Sequence, residues 1–422
     1  MLNRNLSILR FIAIAACIEI PLVLSYFWMS GDFSVPRFNV WPISEWLINY
    51  QAGFIRRGLV GELLLRIYGP GELIKPLYIV MFYSYAIYVG VFLWVYLKSR
   101  IRNANILLVS ILIQGGIFHM GMSADFYTRK ENIFLIFFGI QCLLYLQIKS
   151  ASISSQKYWL AAYLSLLFMV TPILVMVHEA YLFLSLPISI LLLWILAIER
   201  PRDKYLPLTA ALLFSETLIV FLICSVFHGD VSMSQLIWDS LPFIDRLKLS
   251  SSAPYSTFGA IGSLGWGLDQ HLSTIYGVFS SGGIFVWIFF ACGNALVLAY
   301  IYLAMQSPRV NRAPSQYLRW ILLGFLVLLP MFLVACDWGR WIATISNQLI
   351  LLMFTLRQSD IFYKPDLNPL RQRLSSIKCT IGMAGLFTLC IIYGLAFQMP
   401  ECCADYRVNS YFYMVFSIFH TN

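Results

Sequence analysis

A chain of 422 residues that is 60% hydrophobic and 12% charged, with a mean hydropathy of +0.76, cannot keep its apolar surface away from water as a soluble fold. That excludes soluble enzymes and soluble binding modules and leaves a polytopic, all-α membrane protein, since every backbone polar group in hydrocarbon must be satisfied within its own segment. The formal charge of +9 is an orientation signal and calls for no nucleic-acid partner.

In chain order, the first apolar run, 8–29, is long enough to span and lacks a small-residue cleavage site, so it reads as a retained first helix. Further apolar runs of about 17–25 residues fall at 76–97, 104–121, 132–148, 158–177, 180–198, 206–227, 283–304, 317–336, 341–357 and 378–398. The expectation is about eleven spans in one transmembrane domain covering 1–422. Pro172 and the pair His178-Glu179 mark the turn between the fifth and sixth. Two connecting segments are enlarged: 30–75, with an interfacial helix, and 228–282, with a short helix near 233–249 and a Gly/Ser-rich flap. Cys17, Cys142, Cys224, Cys292 and Cys390 fall inside apolar runs as small hydrophobes, and the adjacent Cys402 and Cys403 do not suggest a simple intrachain bridge.

With the N-terminus cytoplasmic, the loops KSRIRN, IKSASISSQK, ERPRDK and QSPRVNRAPSQ and the segment 357–378 share its side and hold most of the 29 Lys and Arg residues. This is the positive-inside bias. The dense polar motifs then all emerge on the opposite, extracytoplasmic face: GFIRRG at 53–58, DFYTRKE at 125–131, HEAY at 178–181 and CDWGRW at 336–341.

Each motif has a plain structural reading beside a functional one. Arg56 and Arg57 snorkel to headgroups from an interfacial helix, or, bracketed by Gly53, Gly58 and Gly61, they form a bidentate phosphate fork. Arg129, Lys130 and Glu131 are an ion-paired helix end, or, with Asp125, part of a diphosphate clamp. His178 and Glu179 are a satisfied turn, or a proton acceptor and its partner held beside hydrocarbon. Asp337 and Arg340 pair across one helical turn, while Trp338 and Trp341 belong to an aromatic belt or stack on a sugar. Glu19 is expected to be paired within the bundle, and His119 to satisfy a helix contact. No metal-ligand spacing is present, so neither metal nor cofactor is expected.

The topology, with arginines gathered on the face that carries the enlarged loop, resembles bacterial O-antigen and capsule repeat-unit polymerases of the Wzy type. At the same level it is similar to GT-C-class glycosyltransferases that use polyprenyl-linked donors. The resemblance implies a bacterial inner-membrane enzyme that polymerises undecaprenyl-diphosphate-linked oligosaccharide, with a chain-length regulator as a further partner. Arg56, Arg57, Arg129, Lys130 and Arg340 would hold the diphosphate, His178 or Glu179 would be the base, and Asp125, Asp337, Trp338 and Trp341 would support them. The alternative is transfer of one sugar from a polyprenyl-phosphate donor, with Asp32 or Glu45 as the acid of the first outer loop. A third reading is a transporter of lipid-linked glycans.

Overall fold

The computed structural model describes residues 2–30, 40–249, 258–305, 313–314, 331–332, 335–357, 363–364 and 369–402. Among the described residues regular structure is helical, apart from a two-residue antiparallel pair of Ala313–Pro314 with Tyr363–Lys364. Among the described residues, eight helical stretches are long and apolar enough to cross a membrane: Leu9–Phe27, Ile74–Lys98, Ala104–Met122, Glu131–Ser150, Ile153–Val177, Tyr181–Glu199, Leu206–Val226 and Gly283–Met305.

The three remaining expected spans fare differently. Most of 317–336 lies outside the described residues. The run 341–357 forms the helix Trp338–Leu356, but all of its residues are buried, and it carries Arg340, Ser346, Asn347 and Gln348. The run 378–398 is divided by Gly382, whose φ of 76° breaks the helix Pro369–Ala396 and leaves Gly382–Ala396 as a shorter apolar piece. Pro172 does not end its helix, which runs through it to Val177; the turn is made by His178, where the backbone becomes extended. Glu19, expected to be paired inside the bundle, is exposed on the first helix.

The chain forms two compact units: Leu24–Val89 with Ser123–Leu272, and Met1–Val23 with Gly90–Met122 and Ser273–Asn422. In the first, both enlarged segments are more helical than expected. Segment 30–75 contributes Val40–Leu47 and Gly58–Tyr68, and 228–282 contributes Val231–Ser240, Phe243–Leu249 and Gly259–Gly262; the helix Leu268–Ser280 begins here and continues into the other unit. Hydrogen bonds knit them into one layer. Ser44 accepts the Ala260 amide at 2.8 Å, Ser234 donates to the Ile261 carbonyl at 2.8 Å, and Asn49 donates to Ser240 at 2.9 Å. Asp245 accepts the Leu73 and Ile74 amides at the start of the span Ile74–Lys98, where the first amides of a helix lack carbonyl partners. Of the Gly/Ser-rich stretch expected as a flap after 249, residues 250–257 lie outside the described residues, and the part that follows is helical at Gly259–Gly262 and Ser263–Gly265.

In the second unit, the span expected at 104–121 is discontinuous. Ala104–Leu112 and Ile117–Met122 are separated at Gly115, where φ is 76°. A side chain at Gly115 would overlap Ala343, so glycine is required both by the turn and by the close approach. Amide side chains satisfy the exposed backbone: Asn294 donates to the Gln114 carbonyl at 3.0 Å and Asn347 to that of Gly115 at 2.6 Å. Gln114 itself donates to the Phe397 carbonyl at 2.7 Å and accepts the Met399 amide at 3.0 Å. The His119 ring, expected to satisfy a helix contact, meets the Met399 carbonyl at 3.1 Å, beyond the helix end at Ala396.

Candidate functional site

The first unit gathers charged side chains from three separate sequence regions around the loop GFIRRG. Glu62, one turn into the helix Gly58–Tyr68, anchors the approach: its carboxylate accepts the Tyr50 amide at 3.1 Å, Gln51 Nε2 at 3.2 Å and Arg66 Nε at 2.6 Å. Gly61 presses its backbone against the Ile48 carbonyl, leaving no room for a β-carbon. The Arg56 amide donates to the Phe227 carbonyl at 2.9 Å. Arg57 then adopts φ 64°, ψ −1° as it enters the helix, a left-handed conformation that costs a non-glycine residue on the order of 1 kcal/mol.

That backbone turn aims the Arg57 guanidinium at Glu179. Nε donates to both carboxylate oxygens, at 2.9 and 2.8 Å, and Nη2 also donates to Oε1. Arg56 Nη1 lies 3.4 Å from the same oxygen. Burial alone would raise the Glu179 pKa, but the guanidinium groups of Arg57 and Arg56 outweigh it and hold the carboxyl well below its ordinary range. The Arg56 and Arg57 side chains retain 20% and 21% exposure and Glu179 13%, more than Glu45, Arg129 or His178 beside them, although Arg56 Nε is itself buried.

Beneath them lies a buried floor. Glu45, on the helix Val40–Leu47, is only 2% exposed, and its carboxylate lies against Arg129 at 3.4 Å, Arg57 at 3.7 Å and His178 Nε2 at 2.9 Å. The His178 pair is close without being aligned as a linear hydrogen bond. His178 Nδ1 accepts the Ala180 amide at 3.1 Å, so a ring in this orientation carries its proton on Nε2. The ring's lone pair is therefore already in use, and Glu179 is better exposed to receive a substrate proton.

Lys130 is fully buried and performs a positioning task. Its Nζ donates to the carbonyl of Arg57 at 3.1 Å and to that of Val177 at 3.2 Å, joining the strained residue to the end of the helix that delivers His178 and Glu179. Burial lowers its pKa to about 8, with Glu45 opposing the shift. Trp46 completes the support: Nε1 donates to the Thr128 carbonyl at 2.6 Å, and the ring lies 5.9 Å from Lys130 Nζ.

Of the residues singled out in the sequence, Arg56, Arg57, Arg129, Lys130, His178 and Glu179 thus come together. The Asp125 side chain and Asp32 lie outside the described residues. Arg340 belongs to the other unit, where it donates to Asp337 at 2.7 Å. Trp338 and Trp341, expected at an aromatic belt or against a sugar, are instead buried. Trp338 packs on Phe279 and Trp287, and Trp341 on Phe332, because the turn at Asp337 feeds directly into a fully enclosed helix. The residue underweighted by sequence reasoning is Glu45. Its signal was an acid in the otherwise apolar run WPISEWL, where a buried charge demands cationic partners.

Fold and cluster together define a multi-span α-helical membrane protein whose conspicuous polar feature is a cation-rich cluster between spans. Residues 11–248, more than half of the chain, match the family described as uncharacterised membrane protein Rv1490, and the chain belongs to that family. The match includes every residue of the cluster and ends before Asp337 and Arg340. No curated protein and no solved structure matches the chain.

Proposed function

We propose that the protein is a membrane glycosyltransferase that takes a polyprenyl-linked sugar donor at the Arg56–Arg57–Glu179 mouth, on the extracytoplasmic face of a bacterial inner membrane. The observation that carries this reading is the two-layered cluster: the partly exposed side chains of Arg56 and Arg57 beside buried Glu45, Arg129, Lys130 and His178. Planar guanidinium groups suit phosphate oxygens. An arriving phosphate displaces Glu179 from Arg57. Freed from its cations, the carboxylate becomes a stronger base. The acceptor hydroxyl then gives its proton to Glu179 and attacks the anomeric carbon, the carbon–oxygen bond to phosphate breaks, and the charge gathering on the departing phosphate is stabilised by Arg56 and Arg57.

Within this class the first reading is polymerisation of undecaprenyl-diphosphate-linked repeat units, with no metal requirement. The central position of Glu45 favours a second, transfer of a single sugar from a polyprenyl monophosphate, in which an acid of this loop takes part. The test is the glycan profile of a deletion strain complemented with wild type, Arg57→Ala or Glu179→Gln, with membrane levels of each variant measured. Loss of polymer with single repeat units retained supports polymerisation; repeat units lacking one sugar support single transfer. Unaltered glycan in the deletion strain overturns both. Purified protein reconstituted with lipid-linked donor separates bond formation from transport.

A further inference from the structure

The second unit brings together two cysteines 66 positions apart, with Cys336 Sγ and Cys402 Sγ at 3.6 Å. From this contact we propose that Cys336 and Cys402 are a redox modification site, forming an intrachain disulfide that staples the start of the helix Trp338–Leu356 to the segment following Gly382–Ala396. This departs from the sequence expectation, in which the adjacent Cys402 and Cys403 argued against a simple bridge.

Three observations prepare the pair for closure. The backbone around Cys402 is held independently of the sulfurs: Gln114 Oε1 accepts the Met399 amide at 3.0 Å and the His119 ring meets the Met399 carbonyl at 3.1 Å. Around Cys336 the chain is equally fixed. Gly339 lies directly against the Pro400 carbonyl, with no space for a β-carbon, and the Trp338 amide donates to the Cys336 carbonyl at 2.8 Å. Both cysteines are partly exposed, so an oxidant can reach them. A disulfide bond is about 2.05 Å long, so closure needs side-chain rotation and a small backbone adjustment. On the orientation expected from the basic loops, both cysteines also face the extracytoplasmic, oxidising side.

The oxidant is a disulfide-bearing donor, such as glutathione disulfide or a thiol oxidoreductase. The thiolate of one cysteine attacks a donor sulfur, releasing one donor thiolate and leaving a mixed disulfide. The other cysteine thiolate then attacks the protein sulfur of that mixed disulfide and releases the second donor thiolate. The protein loses two protons and two electrons, and the donor disulfide is reduced to two thiols. The bridge closes a long loop of chain, the case in which restricting the unfolded state has its greatest effect.

The experiment uses full-length protein in detergent with Cys403→Ser, so that only Cys402 remains in its peptide. The protein is treated with glutathione disulfide, thiols are alkylated, and peptides are mapped by mass with and without reductant. The expected result is a reducible cross-link between the Cys336 and Cys402 peptides, a higher melting temperature than the reduced protein, and loss of both effects in Cys336→Ser. Complete alkylation of Cys336 after oxidation overturns the proposal, as does a cross-link from Cys336 to any other cysteine or to a second chain. The measurement uses no sugar or lipid substrate, so its outcome is independent of the proposed activity.

Discussion

Among the described residues, two of the buried polar networks differ in their chemistry. Around Gln114, Asn294 and Asn347 the groups are neutral amides: Asn294 and Asn347 bond the carbonyls freed by the break at Gly115, and Gln114 bonds the Phe397 carbonyl and the Met399 amide beyond the helix ending at Ala396. Around Glu45 and Glu179 the groups are largely formal charges, and the side chains of Arg56 and Arg57 remain partly exposed. Amides suffice to hold an irregular backbone inside a bundle. Charges are far costlier to bury and are retained where something else needs them. The difference separates a network that maintains shape from one that can exchange its partners.

The comparison breaks most visibly at Glu45. Glu45→Ala leaves Arg129 and His178 buried without their carboxylate, and removing one member of a buried ion pair typically costs about 3–5 kcal/mol. The expected outcome is a strong fall in monodisperse protein and in melting temperature by fluorescence-detected size exclusion. Near-wild-type stability would place Glu45 outside the framework of the cluster. In the amide network, Gln114→Ala orphans the Met399 amide and several carbonyls, at about 1–3 kcal/mol per unsatisfied buried group. It should lower the melting temperature while leaving the glycan phenotype of surviving protein intact, and loss of activity at full stability would show that the break contributes to function.

A smaller effect distinguishes the two networks by pH, since only one of them titrates near neutrality. Lys130 has its ammonium pKa lowered to about 8, against 10.5 for an ordinary lysine. Its charge is present below about pH 8 and is lost as pH rises through that value. Activity that depends on the charged cluster should therefore decline above about pH 8, and Lys130→Arg, where it folds, should remove that decline. Stability responds with the opposite sign. Between about 8 and 10.5 the unfolded chain binds more protons than the folded one, so this group makes unfolding less favourable as pH rises. Activity and stability falling together across that window would exclude Lys130 as the group responsible.

Much of the molecule was legible in the sequence because hydrophobic run length reports membrane-spanning helices directly. Where it misled, polar groups or glycines lay inside an apolar run. The helix Trp338–Leu356 is wholly enclosed although Arg340, Asn347 and Gln348 interrupt its pattern, and Gly115 and Gly382 break runs that composition alone reads as continuous. The cluster was legible as a set of charges out of place on the expected face. Its internal pairings were not, because Arg57 finds Glu179 across 122 positions, and Glu45 depends on a packing arrangement that no local pattern encodes. That Arg340 falls in the other compact unit was equally invisible, since spacing along a chain carries no information about which unit a motif joins.

The left-handed turn at Arg57 has a consequence for how this position tolerates mutation. Local backbone preference at φ 64° favours glycine, whereas the contacts with Glu179 and Glu45 need a guanidinium. A saturation library at position 57, sorted once for protein abundance and once for glycan output, should therefore give opposed rankings: glycine tolerated in the first sort and depleted in the second. Such a divergence between the two fitness landscapes marks a residue retained for what it does at the expense of how comfortably it folds.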